Sequence, residues 1–301
     1  MTKLARVLIV FKKTTLQLQA FEHKEPRFLK LIEEGHASVA KVKTAHEQHV
    51  DTLETIYAEL KKRGIEYDSC HRAELDTKAQ HCDLLITVGG DGTFLDASHS
   101  LKSKPMMGVN SAPGSSFGHF AIANRDNFAE ILEQILVGER KPERLLRLQL
   151  VVNGKPVKEL VLNEVLISHS NPAGTSRYII KSDSGDEEQR SSGIWAGPPP
   201  GSTGAIKSAG GQIQGITEQN WQYVVREPWT RPGQHFKFTK GVLSRSESMR
   251  IISQMRTGAL YIDGQHIEYP FPLGDELILK AADEDLIAFV DPKVNDIFLN
   301  D

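Results

Sequence analysis

The chain has 301 residues, enough for one large or two moderate domains with real cores, and its 39% hydrophobic and 25% charged content is that of a folded globular protein. A net charge of −3 gives no electrostatic case for binding nucleic acid or an anionic membrane. Cys70 and Cys82 are the only cysteines, which suits a reducing cytoplasm better than a disulfide scaffold.

Val7 to Phe11 is too short an apolar run for a signal peptide core or a membrane span, and predicts a first strand. Residues 13–35 are mixed and charged, with room for a short helix. From His36 to Arg63 the spacing of Val39, Val42, Leu53, Ile56, Tyr57 and Leu60 predicts a long helix, and Gly64 supplies its stop. His36, His46 and His49 match no metal spacing and are expected on its solvated face. Ile65 to Tyr67 predicts a second strand, and Ala73 to Gln80 a second helix.

Leu84 to Val88 has the apolar, partly β-branched composition of a buried parallel strand. It breaks into Gly89-Gly90-Asp91-Gly92-Thr93 and resumes as a helix through Leu101. Glycines there allow positive φ or close approach of a ligand, and the amides of a helix start suit a phosphate. An acid among those amides repels an anion. Asp91 therefore has another task, holding Mg²⁺ or taking a proton from an attacking hydroxyl, unless it is a plain helix N-cap. Met106 to Asn110 predicts the next strand, so Asp91 and Asn110 stand on one rim of a parallel, doubly wound sheet. Ser111 to Gly118 reads as a loop and Arg125 to Leu136 as a helix.

Beyond Gly138 the pattern turns to short apolar stretches. Strands are expected at 148–152, 157–161, 165–167, 176–180, 222–226, 248–252, 259–262 and 276–280, which is a β-sandwich-like second domain. The division is 1–142 for an α/β nucleotide-binding domain and 143–280 for a β-rich domain. Residues 281–301 either trail or return to the first domain. A crevice between the domains is the expected ligand site.

Two further segments carry chemistry. Asn163-Glu164 sits in an apolar run, where an unpartnered buried Glu is costly and a sugar diol satisfies both side chains; a solvated sheet edge is the alternative. Pro198-Pro199-Pro200-Gly201-Ser202-Thr203-Gly204-Ala205-Ile206-Lys207-Ser208 is a stiffened loop of small residues with free amides and hydroxyls.

Gly89-Gly90-Asp91-Gly92-Thr93, then Asn163-Glu164, then Gly201-Ser202-Thr203, in this order and spacing, resemble the signature of the NAD kinases. The resemblance runs from the first strand through Ile262-Asp263-Gly264. It implies an α/β domain followed by a β-sandwich, and transfer of the ATP γ-phosphoryl to the adenosine ribose 2′-hydroxyl of NAD, giving NADP. By matching positions, Asp91 takes the place of the catalytic aspartate, and Gly89, Gly90, Gly92 and Thr93 that of the phosphate loop. Asn110, Asn163, Glu164, Gly201, Ser202, Thr203, Ser208 and Asp263 stand where the family binds substrate. The resemblance also implies Mg²⁺ or another divalent cation, with Asp91 the sole candidate ligand, and a homodimer or larger assembly. Bacterial members carry Asp-Gly and Thr-Ala-Tyr where this chain has Ser192-Gly193 and Thr203-Gly204-Ala205; Ser-Ser-Gly and Val225-Arg226-Glu227-Pro228 look like the mitochondrial-type branch. A diacylglycerol- or sphingosine-type lipid kinase shares the Gly-Gly-Asp-Gly-Thr turn, and a non-catalytic NAD(P)-binding regulator fits the altered pocket residues. These are the two alternatives.

Overall fold

The computed structural model describes residues 4–75, 79–182 and 185–299. Its elements run β1 (Arg6–Phe11), α1 (Pro26–Glu33), α2 (Val42–Lys62), β2 (Glu66–His71), β3 (Leu84–Gly89), α3 (Asp91–Ser98), β4 (Met106–Asn110), β5 (Ala121–Asn124) and α4 (Phe128–Val137). They continue with β6 (Glu143–Leu145), β7 (Leu148–Val152), β8 (Lys155–Pro156), β9 (Val165–His169), β10 (Ser176–Lys181), β11 (Glu187–Ser191), β12 (Ile194–Gly197) and α5 (Ala205–Ser208). The last are β13 (Trp221–Val225), β14 (Lys240–Leu243), β15 (Ser248–Ser253), β16 (Gly258–Ile262), β17 (Ile267–Pro270), β18 (Glu276–Ala281) and β19 (Leu286–Phe289).

The chain forms two compact units, one of residues 1–143 with 287–291, the other of 144–286 with the residues from 292 on. The first is built on a sheet ordered β2-β1-β3-β4-β19-β6, with β5 also on β4. β1 pairs in parallel with β2 and β3, and β4 in parallel with β3, β5 and β19. Every residue of β3 and β4 is buried, as a strand covered on both faces requires. Val7, Ile9, Leu84, Ile86 and Val88 pack with Ile56 and Leu60 of α2 and with Phe128 and Leu132 of α4. The open α/β architecture is the one the strand–helix alternation predicts.

The second unit is a sandwich of two antiparallel sheets, ordered β11-β10-β15-β18-β7-β8 and β14-β13-β12-β9-β16-β17. Its core draws alternate residues of both, among them Leu148, Leu150, Ile180, Ile251, Leu277 and Leu279 from one and Val165, Ile167, Ile194, Trp221, Tyr223 and Leu260 from the other.

Several elements differ from the sequence reading. The helix expected from His36 begins at Val42; Ala37–Val39 instead makes a 3₁₀ turn capped by His36. The helix expected to reach Leu101 ends at Ser98. The one expected from Arg125 starts at Phe128, because the Asn127 side chain turns back to accept from Asn124 N–H. Of the helix expected over 73–80, the flanks are short 3₁₀ turns, Arg72–Glu74 and Ala79–His81, and residues 76–78 lie outside the described residues. Residues 157–161 do not form a strand: only Val161 bridges to Leu148, and Val157 donates to the Leu150 carbonyl.

Candidate active site

The residues expected to form a phosphate loop sit at the carboxyl end of β3. Gly89 is the strand's last residue, Gly90 the N-cap of α3, and Asp91 its first helical residue. The N-cap reading of Asp91 is therefore corrected by one position. None of Gly89, Gly90 and Gly92 adopts a positive φ, so conformational freedom is not what glycine supplies here. At position 89 the reason is space: a Cβ there would lie 2.3 Å from Thr93 Oγ1. Thr93 is buried and fills the room that Gly89 leaves, which makes it a packing residue of the turn.

Asp91 is half-buried, and its Oδ1 accepts from Phe120 N–H at 2.9 Å. Among the described residues its Oδ2 takes no hydrogen bond. One oxygen thus fixes the side chain and leaves the other for a ligand. Thr93 N–H donates to the Gly90 carbonyl at 3.0 Å, while the Asp91 and Gly92 N–H groups that open α3 have no acceptor among the described residues and give this rim the character of an anion site.

Asn110, at the end of β4, is buried and spends its side chain on the 111–118 loop. Its Nδ2 donates to the Ser116 carbonyl at 2.9 Å, and its Oδ1 accepts from Ala112 N–H at 3.1 Å. Its visible role is to hold that loop beside the Asp91 turn. Ser111 extends the arrangement by bonding Nδ1 of His49 at 2.8 Å. His49 is 3% exposed, which corrects the solvated-face expectation. Burial, and then the nearby Lys12 ammonium and His46, push its pKa down from 6.5 to about 4. No group of three or more His, Cys, Asp or Glu among the described residues could hold a metal ion.

In the second unit Asn163 and Glu164 stand just before β9. Asn163 Nδ2 donates to Glu164 Oε2 at 2.6 Å, so the two side chains converge instead of facing apart. Glu164 is 8% exposed, which removes the solvated-edge alternative. Burial first, then the Asp263 carboxylate, pushes its pKa up from 4.5 to about 8.

Asp263 explains why the pair is held so rigidly. It follows β16 with φ +48°, an αL conformation unusual for a residue with a Cβ. Its Oδ1 accepts from Asn163 N–H (2.8 Å) and Glu164 N–H (3.1 Å), and its Oδ2 from Leu162 N–H (3.0 Å). Both oxygens are thereby committed to the backbone of the Asn-Glu turn. Asp263 is a positioning residue.

The Gly-Ser-Thr loop locks against the same turn. A Cβ on Gly201 would lie 1.7 Å from the Asn163 carbonyl oxygen, so no other residue fits there. Ser202 is fully buried; its hydroxyl accepts from Gln214 N–H (3.0 Å) and donates to the Gln214 carbonyl (3.2 Å). Asn295, a residue no sequence pattern marks, is fully buried and donates through Nδ2 to the carbonyls of Pro199 (3.1 Å) and Gln214 (2.7 Å). Thr203 is half-buried, and Ser208 is exposed with its hydroxyl turned back on the Gly204 carbonyl. Lys207 lies over the Phe298 ring at 5.4 Å. A cavity of about 530 Å³ in this unit is lined by Ser192, Trp195, Arg226 and Tyr261, among others, with the Arg226 guanidinium 5.5 Å over the Trp195 ring.

The predicted site residues therefore form two groups, one in each unit. Asp91, the glycines, Thr93 and Asn110 gather on the sheet rim of the first. Asn163, Glu164, Gly201, Ser202 and Asp263 interlock in the second.

Residues 7–140 match the ATP-NAD kinase N-terminal domain family. Over 255 residues the chain is 32% identical to a probable NADH kinase of Oryza sativa subsp. japonica, an alignment spanning 77% of this chain and 78% of that protein. Its fold is that of an Archaeoglobus fulgidus NAD kinase crystallised with ATP, with a TM-score of 0.69 at 20% identity over 98% and 97% of the two chains. A yeast NADH kinase complexed with NADH gives a TM-score of 0.70 at 17% identity over 100% and 88%. These likenesses do not favour a lipid kinase or a non-catalytic regulator. With the α/β and β-sandwich architecture, the intact Asp91 turn and this degree of identity to the rice protein, the chain belongs to the NAD kinase family.

Proposed function

We propose that this kinase moves the γ-phosphoryl group of ATP to the adenosine ribose 2′-hydroxyl of NAD or NADH, with Asp91 accepting the hydroxyl proton. The observation that carries the assignment is the Asp91 carboxylate, fixed through one oxygen by Phe120 N–H and free at the other. Such a carboxylate keeps its aim without losing its capacity to take a proton. Phosphoryl transfer is otherwise positioning and charge neutralisation. The amides of the Gly89–Thr93 turn bind the donor's phosphates. The Asn163–Glu164 pair binds the acceptor ribose, Asn163 donating and Glu164 accepting.

Mg²⁺ binds through one or two carboxylates together with substrate phosphates. The free oxygen of Asp91 suits that mode as the alternative to taking the proton, and an ion held there would neutralise charge on the donor. The acceptor range includes NADH because the rice relative is described as a probable NADH kinase. Resemblance to the family supports a homodimer or larger assembly. Among the described residues no helix is long and apolar enough to cross a membrane. The buried thiols of Cys70 and Cys82 fit the reducing cytoplasm proposed for it.

The test is turnover with ATP and Mg²⁺ against NAD, NADH and a panel of long-chain alcohols. NADP or NADPH formation supports the proposal. Phosphorylation of a lipid alcohol, or dinucleotide binding without turnover, overturns it.

A further inference from the structure

Lys12 follows β1 directly, on the rim that carries the Asp91 turn. β1 and β3 run parallel with Phe11 level with Val88, so the next residue along, Lys12, falls level with Gly89. Its side chain is there in fact: Lys12 Cδ lies 3.5 Å from where a Cβ on Gly89 would be. The absent side chain at Gly89 accommodates Thr93, and the Lys12 stem passes within ordinary contact distance of the same point.

Two neighbouring cations are matched. Lys13 pairs with Glu22 at 2.9 Å, and Arg72 with Asp96 at 2.6 Å. Lys12 is half-buried, yet among the described residues its ammonium forms no hydrogen bond and no ion pair. Burial, and then the Arg72 charge, push its pKa down. His49 also bears on it, and the two groups repel when both are charged. A surface lysine ordinarily lays its stem on apolar atoms and keeps its head in water. Here the head is partly removed from water, unpaired, and set beside an amide-lined turn.

We propose that Lys12 is a donor-binding residue, its ammonium contacting the phosphate chain of ATP held at the Gly89–Thr93 turn. This rests on the donor site assigned above and adds a residue to it. The phosphates supply the counter-charge that the protein withholds, and the cation offsets the repulsion between the donor and Asp91.

The experiment compares Lys12→Met and Lys12→Arg with the parent protein. Nucleotide binding is read without acceptor, as the rise in melting temperature with ATP, and steady-state KM is then measured for ATP and for NAD separately. A hydrogen bond to a charged group accounts for about ten- to a hundredfold in affinity. Lys12→Met is expected to raise the KM for ATP by that factor, to lose most of the ATP-induced thermal shift, and to leave the KM for NAD within about twofold. Lys12→Arg is expected to recover much of the ATP affinity. Since no partner is orphaned, Lys12→Met should melt no lower than the parent in the absence of nucleotide. An unchanged KM for ATP, an equal rise in both KM values, or a lower melting temperature without ligand overturns the proposal. Failure of the family reading is separate: the parent itself would then phosphorylate no dinucleotide.

Discussion

Replacing Glu164 by Gln should abolish a pH dependence built into the second unit. The side chain is buried, accepts from Asn163 Nδ2 at 2.6 Å and lies in the field of Asp263. Moving its pKa from 4.5 to about 8 amounts to roughly 5 kcal/mol at most, at about 1.36 kcal/mol per tenfold. Because the folded-state pKa is the higher one, the native protein binds more protons than the unfolded chain between pH 4.5 and about 8. The neutral carboxyl's contribution is complete below 4.5 and is lost as pH rises through about 8. Glutamine is neutral throughout, so the stability of the parent minus that of the variant should fall by several kcal/mol from pH 5 to pH 9. Trp195, Trp221 and Trp229 are the only tryptophans and all lie in this unit, so urea melts followed by their fluorescence report its unfolding alone. A ligand hydroxyl that donates to Glu164 favours the ionised form, so dinucleotide affinity of the parent should rise over the same interval. Parallel pH profiles for parent and variant would refute the reasoning, for the carboxyl would then titrate where an exposed one does.

Asp91→Asn keeps an oxygen for Phe120 N–H and removes only the charge; kcat should drop at least about a hundredfold with little change in melting temperature, and near-normal turnover would exclude a proton-accepting role. Gly201→Ala forces a methyl to within 1.7 Å of the Asn163 carbonyl oxygen. It should cost unit 2 about 1–3 kcal/mol or more by overpacking and raise the KM for NAD more than that for ATP, which tryptophan fluorescence melts and steady-state kinetics will measure. His49 is neutral in the fold down to about pH 4, against 6.5 for its ordinary value. The unfolded chain therefore binds the extra proton first, and roughly 3 kcal/mol at most of unit 1 stability is lost as pH falls from 6.5 to 4. His49→Gln should flatten that loss in melts followed by helical circular dichroism, since α1 to α4 all belong to unit 1; an unaltered acid limb counts against it.

What could be read in advance was whatever the chain writes locally. β3 and β4 are buried on both faces, so apart from Thr87 and the terminal Asn110 they carry no polar side chain, and the turn after β3 declares itself by its glycines. β11 and β12 were missed for the opposite reason. Glu187-Glu188-Gln189-Arg190 has no apolar alternation, although Gln189 is fully buried, and Ile194–Gly197 merges into the proline-rich loop. Residues 157–161 carry a strand's alternation yet pair only at Val161, because a pleated pattern cannot state whether a partner edge lies alongside. His49 looked solvated since its partner, Ser111, comes 62 residues later in a loop. Lys12 and Asn295 carry no pattern at all: their roles arise from register and from loops folding over them.

The carboxylates at 91, 164 and 263 show why a motif identifies residues without assigning their work. Asp263 has both oxygens engaged by three backbone N–H groups, so its work is to hold the backbone of the Asn163–Glu164 turn. Glu164 is buried beside that charge, which suits it to accept from a hydroxyl but holds it protonated near neutrality until one arrives. Asp91 alone combines partial exposure, a fixed direction and an oxygen without a partner. Substitution at 263 should therefore act through the geometry of the Asn163–Glu164 turn, raising the KM for NAD and lowering stability while kcat at saturation survives. At 91 the pattern inverts, with binding retained and turnover lost. That separation is a consequence of where each oxygen's hydrogen bonds go.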